Sequence, residues 1–277
     1  MVNALRQLQL DDLCVHQMTL SGQCDFANSL EVLRNAGIKR TALWTPMINS
    51  CGISEAKRIW DSAGMTAESL CVACLFEDEA LLREQLELSD MFGARTLVII
   101  TGGFEAVRSA GHDGDIDYAR SLLAERLALA AELADSYRVR LAFEPLHPMV
   151  CGFRSIVSTL QESLDILDQM DDSHDIGLAI DTYALWWEHD LQEKLKRAGN
   201  RILNYHVSDW LADTRDLRLD RGMPGDGQIA LCDWRQMIEA AGYFGPVEIE
   251  IFSRDRWWKI PAEKMIAEII QRMNSAF

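Results

Sequence analysis

A closed (β/α)8 barrel is the fold this sequence predicts, and three observations predict it. Short β-branched or apolar runs alternate eight times with longer, helically periodic segments. The helix-to-strand turns are short, and no proline- or serine-rich linker divides the chain. The length, 277 residues, falls within the range of one such barrel, so residues 1–277 are read as a single domain. An open doubly wound sheet is the alternative, but it would carry a glycine-rich phosphate loop after its first strand, and none is there.

The elements follow in order. Strands are expected at 14–20, 40–44, 67–75, 95–101, 138–144, 177–181, 202–208 and 246–252. The helices after them are expected at 26–36, 54–63, 79–92, 118–136, 159–169, 190–198, 233–241 and 262–273. Several helices end on glycine, as at Gly64 in SAGM and Gly242 in AAGY, where a left-handed residue closes the last turn. The strand-to-helix connections 102–117, 145–158 and 209–231 are long. In a barrel such loops crowd the C-terminal face, where active sites are built.

Composition narrows the function. Hydrophobic residues at 48% and charged residues at 25% are ordinary for a soluble globular protein. A formal net charge of −16 repels a phosphate backbone and argues against nucleic acid. No stretch has the roughly 18 uncharged apolar residues of a membrane span. The N-terminal run MVNALRQLQLDDLC carries two aspartates and no apolar core, so no signal peptide is read there and a cytoplasmic location is expected. The seven cysteines are scattered and odd in number, which favours reduced thiols. Cys71-Val-Ala-Cys74 lies in an apolar run without a histidine pair and reads as buried core.

Four successive strands finish on a ligand-type side chain: Glu144 in LAFEPLHP, Asp181 in GLAIDTY, His206 in ILNYHVSDW and Glu250 in VEIEIFS. Strand alternation turns Val247, Ile249 and Ile251 outward and Glu248 and Glu250 inward. The same count faces Leu141 and Phe143 out and Ala142 and Glu144 in. Ionised carboxylates inside a barrel are costly unless a cation compensates them. Three carboxylates and one imidazole on one rim suit a single divalent ion, with Mn²⁺ favoured over Co²⁺, Mg²⁺, Fe²⁺ or Zn²⁺.

FEPLHP around Glu144, IDTYALWW after Asp181, YHVSDW around His206, the RGMPGDG string and EIEIFS around Glu250 resemble the xylose isomerase-like TIM-barrel superfamily. The chain looks most like its sugar phosphate isomerase/epimerase-like branch, to which 2-keto-myo-inositol isomerase is related. The resemblance implies a metal held by Glu144, Asp181, His206 and Glu250. It further implies that Glu144 and Glu250 face each other across the substrate as proton carriers, that Arg221 touches substrate, and that the protein is a homodimer. Many relatives place a histidine three residues after the metal-binding aspartate, where this chain has Ala184.

Weaker candidates surround this set. His147 and His16 read either as substrate contacts or as packed histidines, and Trp186 as a wall for a sugar ring or as helix packing. Asp209 is expected to orient the His206 ring from behind. No dense basic cluster marks a phosphate site, which favours unphosphorylated substrates.

The expected activity is isomerisation or epimerisation of a ketose, inosose or related keto-sugar, a small-molecule carbohydrate. One carboxylate on each face of the carbon acid moves the proton through a metal-stabilised enediolate. The alternative is a lyase or deglycosidase that expels the aglycone from a 3-keto-glycoside, for which Ala184 would leave room. Abasic-site endonuclease chemistry on this fold needs several more histidines than the six present. A non-catalytic binding subunit is the last alternative.

Overall fold

Eight parallel strands close on themselves in chain order, β1 pairing with both β2 and β8. They are β1 (Leu13–His16), β2 (Arg40–Trp44), β3 (Thr66–Cys74), β4 (Thr96–Ile100), β5 (Arg140–Phe143), β6 (Ile176–Asp181), β7 (Ile202–Val207) and β8 (Val247–Ile249). The computed structural model describes residues 5–170 and 174–277. The first four residues of the N-terminal run considered above therefore lie outside the described residues.

The helices are α1 (Gln17–Leu20), α2 (Phe26–Asn35), α3 (Thr45–Cys51), α4 (Ile53–Ala63), α5 (Glu79–Phe92), α6 (Glu105–Ser109), α7 (Ile116–Ala134), α8 (Leu160–Leu167), α9 (Thr182–Leu185), α10 (Leu191–Ala198), α11 (Leu231–Ala240) and α12 (Ala262–Arg272). The eight long helices match those expected, with ends shifted by a few residues. Their caps follow the local chemistry: Asp25, Asp78, Asp115 and Thr159 each accept a backbone N–H of the first turn. Gly64 closes α4 at φ +64°, a conformation open to glycine without penalty.

The short helices α1, α3, α6 and α9 carry too few residues for a period to show, so the sequence does not announce them. One changes a strand. The run 14–20 mixes Cys14, Val15, Met18 and Leu20 with His16, Gln17 and Thr19; β1 stops at His16 and residues 17–20 turn into α1, with all four side chains buried. Its polar positions, 16, 17 and 19, follow no strict two-residue alternation, and four residues are too few to show a helical period.

Two hydrophobic layers hold the barrel. Outward-facing Leu141, Phe143, Val247, Ile249 and Ile251 join the large cluster between sheet and helices. A small inner cluster is built from Met18, Cys71, Val98, Ala142, Ala179 and Phe252. Inward positions at Ala142 and Ala179 are small, which leaves space for polar side chains at the C-terminal end. Among the described residues no helix is long and apolar enough to cross a membrane.

Candidate active site at the C-terminal end of the barrel

The inner faces of β1, β3, β4, β7 and β8 carry a chain of polar groups. Thr96 Oγ1 donates to Asn204 Oδ1 (2.8 Å), and Asn204 Nδ2 donates to Glu248 Oε1 (2.7 Å). Glu248 Oε2 meets His16 Nε2 at 3.1 Å and accepts from Ser69 Oγ at 3.4 Å. Glu248 is fully buried, and these donors with the two histidines more than offset the cost of its desolvation, lowering its carboxyl below the usual range.

Above this layer lie the strand-end residues. Asp181 pairs in register with His206, and His206 with Glu248. Glu250 sits two residues beyond Glu248, still donating its N–H to Val207 O at 3.1 Å. Glu144 follows β5 directly and donates its N–H to Ile99 O at 2.9 Å. His206 Nδ1 lies 3.0 Å from Glu144 Oε1 and 3.9 Å from Glu250 Oε2. Glu144, His206 and Glu250 thus offer three donor atoms within 4.8 Å of one another.

Asp181 stands beside this trio, linked to it through Arg221. Arg221 Nη1 lies 3.0 Å from Asp181 Oδ2 and 2.8 Å from Glu250 Oε2. The guanidinium also covers the Tyr183 ring at 4.5 Å and the Phe252 ring at 5.5 Å. Burial would raise Glu250, but Arg221 and both histidines hold it well below the usual carboxylate range. At Asp181 burial wins over Arg221 and pushes the carboxyl up. Burial would lower His206, yet its bond to Glu144 and the charges of Glu144 and Glu250 together outweigh it and raise it to about 10.

His16, His206 and Glu248 form a second group with ligand spacing, sharing His206 with the first. All three are fully buried, whereas Glu144 and Glu250 border a cavity of about 60 Å³. The upper group is therefore the one that a ligand from solvent meets. Its chemistry fits a divalent ion: two carboxylates and an imidazole converge with Asp181 beside them, and Asp181 Oδ2, though 3.0 Å from Arg221 Nη1, is buried without a well-aligned hydrogen bond.

The cavity is walled by Met18, Trp44, Cys71, Leu146 and Phe252 and also bordered by Arg154, Arg218 and Arg221. Trp44 and Phe252 meet edge to face at 6.5 Å. Neither aromatic stood out in the sequence, where each is one apolar residue at the end of a strand. Cys71 and Cys74 remain free thiols, Cys71 buried against the cavity. A larger hollow of about 740 Å³ lies outside the barrel against α7 and α8, where no ligand-type cluster converges among the described residues.

The remaining candidates are placed as follows. His16 is fully buried, with Nε2 toward Glu248 and Nδ1 3.6 Å from Glu250 Oε1, so it supports the carboxylates from below. His147 and Trp186 do not border the cavity. His147 stacks on Trp210 at 4.7 Å, and Trp186 lies 5.8 Å from the same ring. Asp209 does not orient His206. Its two oxygens are taken by the backbone N–H groups of Trp210, Gly225, Gly227 and Ile229, at 2.8–3.0 Å. The Asp209 side chain organises the 209–229 loop instead, because these four loop N–H groups have no strand partner. Ala184 is packed into the outer hydrophobic cluster at 2% exposure and opens no space in the cavity.

Comparison with known proteins agrees with this architecture. Residues 77–276 match the family model described as xylose isomerase-like TIM barrel. A protein of Sinorhizobium meliloti 1021 is 36% identical, over 97% of this chain and 99% of that one, with a TM-score of 0.90. The IolI protein with a bound zinc atom is 18% identical over 95% and 96% of the two chains, at a TM-score of 0.78. The 3-keto-D-glucoside 4-epimerase YcjR from E. coli is 15% identical over 89% and 94%, at a TM-score of 0.68. At those last two identities the likeness is one of fold. A search of curated proteins finds no match.

Proposed function

The chain belongs to the xylose isomerase-like TIM-barrel family, and we propose that it is a divalent-metal-dependent isomerase or epimerase of a ketose, inosose or related keto-sugar. One observation carries this reading: Glu144 and Glu250 both border the barrel cavity and both face the His206 ring. Two carboxylates on one small cavity are what proton abstraction and return at a carbon acid require. The names of the fold neighbours, a zinc-bound IolI and a keto-glucoside epimerase, support the same class.

The chain's own residues divide the work. Glu250, kept ionised by Arg221, takes the proton. Its depressed pKa makes it a ready but weak base. Glu144, 3.0 Å from His206, returns a proton from the other side. Arg221 stabilises negative charge as it develops at the substrate oxygen. Glu144, Asp181, His206 and Glu250 would hold the metal, Mn²⁺ favoured, which when bound polarises the carbonyl and acidifies the neighbouring C–H. The elimination alternative draws on space at Ala184, and that side chain lies in the core.

Proton NMR in D2O tests the proposal, using Mn²⁺-loaded protein and a panel of ketoses, inososes and 3-keto-glucosides, with metal stripped before recording. Deuterium should enter the carbon beside the carbonyl, and Glu144→Gln or Glu250→Gln should abolish it. Full exchange in both variants would sink the assignment.

A further inference from the structure

The cavity is bordered by groups of both charges. Glu144 and Glu250 line it, with His206 between them. Two guanidinium groups from different loops line it as well, Arg154 from the segment after β5 and Arg218 from the segment after β7. Neither has a carboxylate partner among the described residues, in a chain where acidic residues outnumber basic ones 43 to 27.

The acids nearest Arg218 in sequence are already occupied. Asp213 is held by Arg215 and Arg256, Asp216 by Arg254, and Asp220 by Arg256. Arg154 is partly buried, and desolvation together with repulsion from Arg218 outweighs the attraction of Glu144 and lowers it below the usual guanidinium range. Two cations held beside one cavity, neither in an ion pair among the described residues, cost free energy that an incoming anion would recover.

We propose that Arg154 and Arg218 bind an anionic terminal group of the substrate, a carboxylate or a phosphate, while its hydroxy-ketone end faces Glu144 and Glu250. This rests on the proton-transfer reading of the same cavity and narrows its substrate class to acidic keto-sugars. The sequence argued for unphosphorylated substrates because it shows no basic run. The two arginines come together only when the loops after β5 and β7 meet over the barrel.

Binding can be measured apart from turnover. Metal-free protein is titrated calorimetrically with inorganic phosphate, methylphosphonate and propionate. Wild type should bind at least one probe saturably, and the stronger of phosphonate and propionate identifies the terminal group. Arg154→Gln/Arg218→Gln should weaken that binding about a hundredfold or more, since two charge-assisted bonds are lost together. Arg58→Gln, which alters a surface pair with Glu55, should bind as wild type does. No saturable binding, or equal binding in the double variant, overturns the proposal. In the Mn²⁺-loaded protein a terminal phosphate or carboxylate should raise the kcat/KM of D2O exchange over the neutral ketose, and equal values also overturn it. Arginine-dependent anion binding without exchange of any substrate would support the anion site and fell the proton-transfer reading.

Discussion

Arg221 Nη1 lies 3.0 Å from Asp181 Oδ2, and the same nitrogen lies 2.8 Å from Glu250 Oε2. One guanidinium thus neutralises carboxylates delivered by two strands that are not neighbours in the sheet. A metal bound by those carboxylates would compete with it for the same oxygens. Arg221→Met should therefore destabilise the metal-free protein by about 3–5 kcal/mol, the usual cost of stranding one side of a buried ion pair. Added Mn²⁺ should raise the variant's Tm more than that of wild type. Equal Mn²⁺-induced shifts, measured by calorimetry against chelator, would show that Asp181 and Glu250 hold no metal.

His16 couples the lower carboxylate to the upper one. Burial would lower it, but its contacts with Glu248 and Glu250 prevail and raise it to about 9. A histidine raised in the folded state stabilises fully below its unfolded value near 6.5 and loses that contribution as pH rises through about 9. In chelator, wild-type stability should fall across that window while His16→Gln stays flatter. Urea midpoints taken at intervals between those two pH values check this, and parallel curves would remove His16 from the linkage.

Asp209 makes four bonds to backbone N–H groups of the loop that carries Arg221. Asp209→Ala leaves the buried Ile229 N–H without a partner, at about 1–3 kcal/mol, and removes three part-buried bonds of about 0.5–1.5 kcal/mol each, so a total loss of roughly 3 kcal/mol or more is expected. Activity should fall with it, since Arg221 loses its anchor. Chemical denaturation that reports a loss under about 1 kcal/mol, the net worth of a single ordinary hydrogen bond, would contradict this.

Trp44 offers the cavity a flat apolar face, held edge to face against Phe252. If a sugar ring stacks there, Trp44→Leu should raise KM about tenfold, close to the ~1.4 kcal/mol an aromatic contact of this kind supplies. The kcat should change far less, because Trp44 moves no proton. Steady-state kinetics on an exchanging ketose separates the two, and a fall confined to kcat would place Trp44 elsewhere in the mechanism.

Local chemistry determined the barrel and its inward carboxylates. Strand alternation is a two-residue rule, so Glu144, Asp181, His206 and Glu250 could be placed on the inner face from their neighbours alone. Helix periods and caps act over a few residues, and the eight long helices followed from them. Only the tertiary structure decided which groups meet. Arg221 occupies the space between Asp181 and Glu250, Asp209 serves its own loop and not His206, and Trp44 joins Phe252 on the cavity wall. Arg154 and Arg218 border one cavity from two loops. Loop conformations have no sequence period, and closing the barrel sets distances between residues far apart in the chain, so these contacts had no local signal to announce them.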